Sequence, residues 1–437
     1  MHKPIDFAQN RQRVLDALQP DEAILVFGAP TRPRNGDSDY RYRPDSDVYW
    51  LTGWEDPDVA VFLKPGEAPL TLFVQPKDPV KELWDGHRPG PEGAVASYGA
   101  DEAFPIGELP KELPRLIQGV SRLHHVFARD SDHDALVMGA IARAARAGRR
   151  NGLTTPETFH HPSLLLHELR LVKTDDELGR MRRAAEVTCE AHRRAMQATS
   201  AGSNEYEIEA TLLRTFQESG STGPGYTPIV AGGNNANVLH YNRNREVLPE
   251  GEMLLVDAGC ECGFYTADVT RTWPISGRFT EAQRAVYEVV LAAQDACIET
   301  ARVGVAHSEI HWAAVRALTE GMVALGLLEG EVDALIQDES YKRWYPHGTS
   351  HWLGLDVHDV GSYGRDGRSR PLQAGMVLTI EPGLYIPEDA EDAPEHLRGI
   401  GVRIEDDILI TASGPENLTL SAPRTVDEIE AWMAESR

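Results

Sequence analysis

The chain has few of the features that would tie it to an oxidising compartment, a membrane or a nucleic acid. Its 437 residues include only four cysteines, at positions 189, 260, 262 and 297. They make no CxxC pair and no disulfide framework, which suits a reducing cytoplasm. The opening stretch MHKPIDFAQN lacks the apolar segment of a signal peptide, and no apolar run is long enough to span a bilayer. Positive charge is also in deficit: 43 Lys+Arg stand against 68 Asp+Glu, a formal net charge of −25. Such a field repels nucleic acid and anionic membranes and attracts metal cations. Short-period repeats and low-complexity tracts are missing too. What remains is a soluble, cytoplasmic globular protein, with 41% hydrophobic residues to build its cores. The length implies roughly two to three domains.

The first part of the chain reads as a compact α/β domain. Residues 5–19 predict a helix, with Phe7, Val14, Leu15 and Leu18 on one face. Ala23–Gly28, Val59–Leu63 and Leu70–Val74 are apolar strand candidates, and residues 40–54 (YRYRPDSDVYWLTGW) end in a strand-like aromatic run. Helices are expected at 108–117 and 132–147. The sequence Asn151-Gly152 and the loop 154–162 mark a boundary, which gives domains of 1–170 and 171–437.

The second part begins with a long helix near Thr174. Thr174 is placed to cap it, with Glu177 three residues on as capping-box partner, and Leu178, Met181, Ala185, Thr188 and His192 follow at helical spacing. A second helix covers about 204–219. Strands are expected at 226–231, 252–259 and 267–275, then helices at 281–301 and 307–325, then strands at 376–381, 384–387 and 402–410. Residues 388–399 read as an exposed acidic loop. This order predicts an α+β domain with an antiparallel sheet.

The most unusual stretch is residues 345–359, YPHGTSHWLGLDVHD, where His347, His351 and His358 fall within twelve residues. Neutral imidazole is a common metal ligand and acid–base group. His347 and His351 form an HxxxH pair, but Gly348 replaces the glutamate of zincins, and Pro346 with Gly348 argues against a helix. Four strand-like segments each carry isolated acids: Asp257 in LLVDAG, Asp268 in TADVTRT, Glu381 in VLTIEPG and Glu405 in GVRIEDDILI. Carboxylates among Leu, Val and Ile are costly to bury unless paired or coordinated. One such acid is usually a salt-bridge partner. Four of them beside the histidine pair point to a metal site. The donor types favour Mn²⁺, Co²⁺ or Zn²⁺, and the excess of carboxylates suits a dinuclear centre.

The set Asp257, Asp268, His351, Glu381 and Glu405 resembles the ligand pattern of the pita-bread metallopeptidases, which include methionine aminopeptidase, prolidase and aminopeptidase P. The segments DAGCE, DVTRTWP, HGTSHWLGLDVHDVG, VLTIEPGLYI and RGIGVRIEDD are most similar to the aminopeptidase P (Xaa-Pro aminopeptidase) family, and YRYRPDSDVYWLTGW resembles its creatinase/prolidase-like N-terminal domain. Creatinase shares the fold but lacks the ligands. The resemblance implies two divalent metal ions, with Mn²⁺ the family habit, held by these five residues. Asp257 would chelate one metal, His351 and Glu381 the other, and Asp268 and Glu405 would bridge both.

The implied reaction is hydrolysis of the N-terminal Xaa-Pro bond by a metal-bridging hydroxide. Glu381 would transfer the proton and His358 would stabilise the oxyanion. His240 and His347 resemble residues that line the proline side and shuttle protons. Tyr385 and Arg403 resemble proline-pocket residues. Arg403 and Glu405, two apart on an expected strand, should face one side, which also allows a simple salt bridge between them. Trp84 resembles an aromatic that reaches a neighbouring subunit's site. The resemblance further implies a homo-oligomer, dimer or tetramer, and peptides with proline in the second position as partners. Prolidase, acting on Xaa-Pro dipeptides, shares all five ligands and is the alternative. A non-catalytic pita-bread binding module is a third reading, disfavoured because such members typically lose ligands.

Overall fold

The computed structural model describes residues 5–149 and 151–435. The chain forms two compact units, one ending at Arg170 and the other beginning at Leu171. In the first, a six-stranded mixed sheet runs in the order Glu102–Pro105, Leu70–Val74, Ala60–Leu63, Glu22–Phe27, Arg122–His124 and Thr158–His160. Ala60–Leu63 pairs antiparallel with both of its neighbours, whereas Glu22–Phe27 and Arg122–His124 run parallel. Leu25, Phe62, Phe73 and Leu123 pack with Leu113, Val137 and Ala140 from the helices Leu109–Leu116 and Ser131–Gly148. Two further helices, Pro79–Asp85 and Gly90–Tyr98, are not legible from periodicity; the first buries none of its residues.

The aromatic run before Trp54 is a helix, Ser46–Thr52, and not the expected strand. Its bounds are set by local chemistry. The Asp45 carboxylate accepts from the backbone N–H groups of Asp47 and Val48, and Gly53 closes the other end at φ 70°. These caps outweigh the β preference of the Val-Tyr-Trp sequence. Every residue from Val48 to Thr52 is buried.

In the second unit, helix Asp175–Ala198 opens on the expected capping box between Thr174 and Glu177. Its buried face carries Leu178, Met181, Ala185, Thr188 and His192. Helices Glu205–Glu218, Glu281–Thr300 and His307–Ala324 also lie where their periodicity places them. The strands are antiparallel throughout. Ile229–Gly232, Met253–Asp257 and Thr270–Pro274 form one sheet, and Val377–Ile380, Asp406–Thr411 and Gly414–Asn417 another. The expected strand 402–410 is two strands, Gly401–Arg403 and Asp406–Thr411, in different sheets. The chain breaks between them at Ile404-Glu405. Residues 388–399 are largely exposed, but Ala390, Ala393 and Leu397 are buried as anchors. Among the described residues no helix is long and apolar enough to cross a membrane.

Arg271 fixes the sheets to the carboxyl-terminal part of the unit. Its guanidinium is fully buried, pairs with Asp406 at 2.6 Å, and donates to the carbonyls of Thr270 (3.0 Å), Glu405 (2.6 Å) and Pro423 (3.1 Å). A lone charge left in such a place is costly. Arg271→Met should therefore destabilise this unit by about 3–5 kcal/mol, by stranding the Asp406 carboxylate. Equilibrium urea denaturation checks this; a change below about 1 kcal/mol would contradict it.

Candidate functional site

Strand pairing brings the acids and His351 together. Asp257 ends the strand Met253–Asp257, in register with Thr270 across the sheet. The chain then passes Gly259, where a Cβ would lie 1.7 Å from the Ala267 carbonyl oxygen. Only glycine permits that approach, and it lets the segments bearing Asp257 and Asp268 lie side by side. His351 and Glu381 are placed by a second pairing. The N–H groups of Leu353, Glu381 and Thr379 donate to the carbonyls of Val377 (3.1 Å), Thr349 (2.8 Å) and His351 (2.9 Å). Glu405 sits in the break between its two strands, its N–H donating to the Thr270 carbonyl at 3.0 Å.

Asp257, Asp268, His351, Glu381 and Glu405 line one cavity of about 500 Å³, together with His240, His347, His358, Tyr226 and Arg403. The tightest cluster is Asp268, His351 and Glu405, whose ligating atoms all lie within 4.8 Å of one another. His351 Nδ1 can only donate to the Trp352 carbonyl, 3.0 Å away. That leaves Nε2 facing Asp268 Oδ2 at 3.4 Å, Glu381 Oε1 at 3.8 Å and Glu405 Oε1 at 4.0 Å. A lone pair and three carboxylate oxygens thus converge on one space, which calls for a proton or a cation. A histidine fixed by a backbone carbonyl through its other nitrogen is the usual posture of a metal ligand.

The electrostatics agree. Burial raises the Glu405 carboxyl well above its ordinary range, with Asp268, Glu381 and Asp257 adding to the shift. Burial also raises Asp257, against the opposing effect of Arg403. Glu381 is pushed up to about 7 by burial, which outweighs the opposing pull of His351 and Arg403. For His351, burial acts downward, but the bond to Asp268 and the surrounding carboxylates win and raise it to about 9. The cluster is short of positive charge. Its oxygen and nitrogen donors fit divalent cations.

The remaining expected residues form a relay around this cluster. His347 Nδ1 donates to the Gly348 carbonyl at 2.6 Å, so Nε2 accepts from the Tyr385 hydroxyl at 2.8 Å. That hydroxyl accepts from Arg403 Nη1 at 3.1 Å, and Arg403 Nη2 binds Asp257 Oδ2 at 2.8 Å. Burial, then the Arg403 charge, holds His347 down at about 3, so it stays neutral. The His358 ring meets His351 edge to face at 4.4 Å. His240 lies exposed on the rim. Arg403 is not a direct salt-bridge partner of Glu405: it pairs with Asp257, and reaches Glu405 only through the Thr270 hydroxyl (3.1 and 2.8 Å). The break at Ile404-Glu405 removes the shared strand face that the spacing implied. Trp84 is 81% exposed on Pro79–Asp85 and is not among the residues lining the cavity.

Several supporting residues escape sequence reasoning. The Tyr226 hydroxyl bonds Asp257 Oδ1 at 2.6 Å and also Asp268 Oδ1. Asp407 accepts the Asp268 N–H at 3.2 Å. Lys173 pairs with Asp359 at 3.1 Å, both buried, while the Asp359 N–H closes the loop back onto the Trp352 carbonyl at 2.9 Å. The sequence offers no local signal for that pair, because the burial of Lys173 appears only in the fold.

A model of metallopeptidase family M24 matches residues 179–412, and one of the aminopeptidase P N-terminal domain matches residues 7–126. The Xaa-Pro aminopeptidase of Escherichia coli (strain K12) is 42% identical over 435 residues, spanning 99% of this chain and 98% of that protein. Xaa-Pro aminopeptidase 3 of Mus musculus is 36% identical over 417 residues, spanning 94% of this chain and 80% of that protein. Among solved structures, aminopeptidase PepP of Pseudomonas aeruginosa superposes with a TM-score of 0.96 at 44% identity, covering 100% of this chain and 99% of that one. The zinc-substituted E. coli aminopeptidase P in complex with product gives 0.94 at 41%, covering 99% and 98%. With both domain models in place, and this identity sustained along nearly its whole length, the chain belongs to the Xaa-Pro aminopeptidase (aminopeptidase P) family of M24 metallopeptidases.

Proposed function

We propose that this enzyme removes the N-terminal residue from peptides with proline in the second position, using two divalent metal ions, Mn²⁺ by preference. The observation that carries the reading is the convergence of four carboxylates and the His351 lone pair in one cavity. Asp257, Asp268, His351, Glu381 and Glu405 would hold the ions, with Asp268 and Glu405 shared. Such a pair supplies a hydroxide near neutral pH and positive charge for the carbonyl oxygen.

The chain's own residues do the rest. Glu381, on the cavity wall facing His351, takes the proton of the attacking water and passes it to the leaving nitrogen. That nitrogen is proline's, which carries no N–H of its own in the bond. His358, on the cavity wall beside His351, donates to the developing oxyanion. His240 and neutral His347 line the proline side. Tyr385 and Arg403 hold His347 and Asp257 in place from behind. We assign residues 1–170 as the creatinase/prolidase-like domain and 171–437 as the catalytic domain. A homo-oligomer, with Trp84 at a subunit contact, and a cytoplasmic setting for the four buried free thiols complete the proposal.

Cleavage of Xaa-Pro and Xaa-Pro-Xaa peptides, with and without added Mn²⁺, Co²⁺ or Zn²⁺, separates this reading from its rivals. We expect metal-dependent release of the first residue from the longer peptides. Activity confined to the dipeptide would mean a prolidase, and a folded protein that takes up no metal would mean a binding module. Glu381→Ala should reduce turnover at least about a thousandfold, with an unchanged circular dichroism spectrum; near-normal turnover sinks the assigned proton path. Tyr226→Phe removes the hydroxyl bonded to two acids. It should lower unfolding stability by about 1–2 kcal/mol and slow turnover; a variant equal to wild type in both would make that contact incidental.

A further inference from the structure

Beside the catalytic cavity lies a second, shallow depression lined by Asn242, Arg243, Arg245 and Glu246. Asn242 lines both, so the depression adjoins the mouth of the cavity. Arg243 and Arg245 are exposed, and neither forms an ion pair among the described residues. Two unpaired guanidiniums stand out on a chain of net charge −25.

The loop that carries them is held firmly. Glu205 is fully buried and gathers four donors from this region: the N–H groups of Gly232 (2.9 Å) and Glu246 (3.0 Å), the Asn235 amide (2.9 Å) and the Tyr241 hydroxyl (2.7 Å). Asn244 adopts φ 48°, and its buried side chain bonds the Val230 N–H (3.0 Å) and the Pro228 carbonyl (2.9 Å). With Tyr241, Asn244 and Leu248 turned inward, residues 242, 243 and 245 point to solvent from a fixed platform.

We propose that Arg243 and Arg245 form a carboxylate-recognition subsite for the part of the substrate that follows proline. The inference rests on the aminopeptidase reading. An enzyme that engages the amino end of a peptide leaves only the carboxyl-ward chain to pass over the rim. Planar guanidiniums suit a carboxylate there, and they counter the repulsion that the acidic protein exerts on an acidic peptide. The carboxylate has two sources, an Asp or Glu side chain, or the free C-terminus of a short peptide.

Three peptides distinguish them: Ala-Pro-Gly-Glu-NH₂, Ala-Pro-Gly-Gln-NH₂ and Ala-Pro-Gly-Gln-OH. The acidic member of a pair should be cleaved with a kcat/KM about two- to fivefold higher than the uncharged peptide, as for an exposed charge pair. The advantage should sit in KM and shrink as salt rises. In Arg243→Ala/Arg245→Ala the ratio should fall to about one, whereas Arg243→Lys/Arg245→Lys keeps part of it. Arg214→Ala, which removes one positive charge from the exposed face of Glu205–Glu218, should leave it unchanged, whereas Arg243→Ala or Arg245→Ala alone, each also a loss of one charge, should lower it. Equal kcat/KM for all three peptides in the unaltered enzyme, or a preference that survives the double alanine change, overturns the subsite. Cleavage without charge discrimination defeats this inference alone; no cleavage of any peptide defeats the aminopeptidase reading and this inference with it.

Discussion

Mutual repulsion among buried carboxylates is the constraint on which the catalytic unit depends. Asp257, Asp268, Glu381 and Glu405 share one cavity, and no arrangement of the backbone alone would keep them there. Each is held by a group whose own place is fixed by another part of the fold. Arg403 and Tyr226 hold Asp257, the Asp407 carboxylate takes the Asp268 N–H, Thr270 donates to Glu405, and the backbone of Glu381 is laced to residue 349. Antiparallel strands suit this task. They place residues from distant parts of the chain opposite one another with little freedom in register.

Much of this was legible because the chemistry is written in types and spacings. The capping box at Thr174 and Glu177 needs only four residues to be recognised, and the periodic faces of the long helices need only their own sequence. The isolated acids at 257, 268, 381 and 405 announce themselves by their apolar surroundings. The failures have physical causes. The run 46–52 has β-prone side chains, but a capping aspartate and a left-handed glycine decide its ends. The alternation through 402–410 conceals the break at Glu405, because every residue there is buried whichever way it faces. Tyr226, Lys173 and Asp407 act through partners 31 to 186 positions away, a separation that no local pattern encodes.

The histidine strip takes a different character in three dimensions. Its three imidazoles stand in three environments. His351 faces carboxylates and is pushed up to about 9, His347 is buried beside Arg403 and held at about 3, and burial with His351 nearby lowers His358. Before any cation is bound, the same side chain is thus pushed in opposite directions within a few residues, by what each ring faces and not by its sequence neighbours.

The break at Ile404-Glu405 also bears on when the centre can exist. Glu405 is synthesised after the four other proposed ligands, and its backbone is clasped by Arg271, which itself leans on the carbonyls of Ala422 and Pro423. A growing chain holding Asp257, Asp268, His351 and Glu381 still lacks one wall of the cavity and the anchor for its clasp. The wall that Glu405 completes and the clasp that holds it therefore need the chain only as far as Pro423, so a truncation before that residue should open the proposed centre while leaving its other four ligands in sequence.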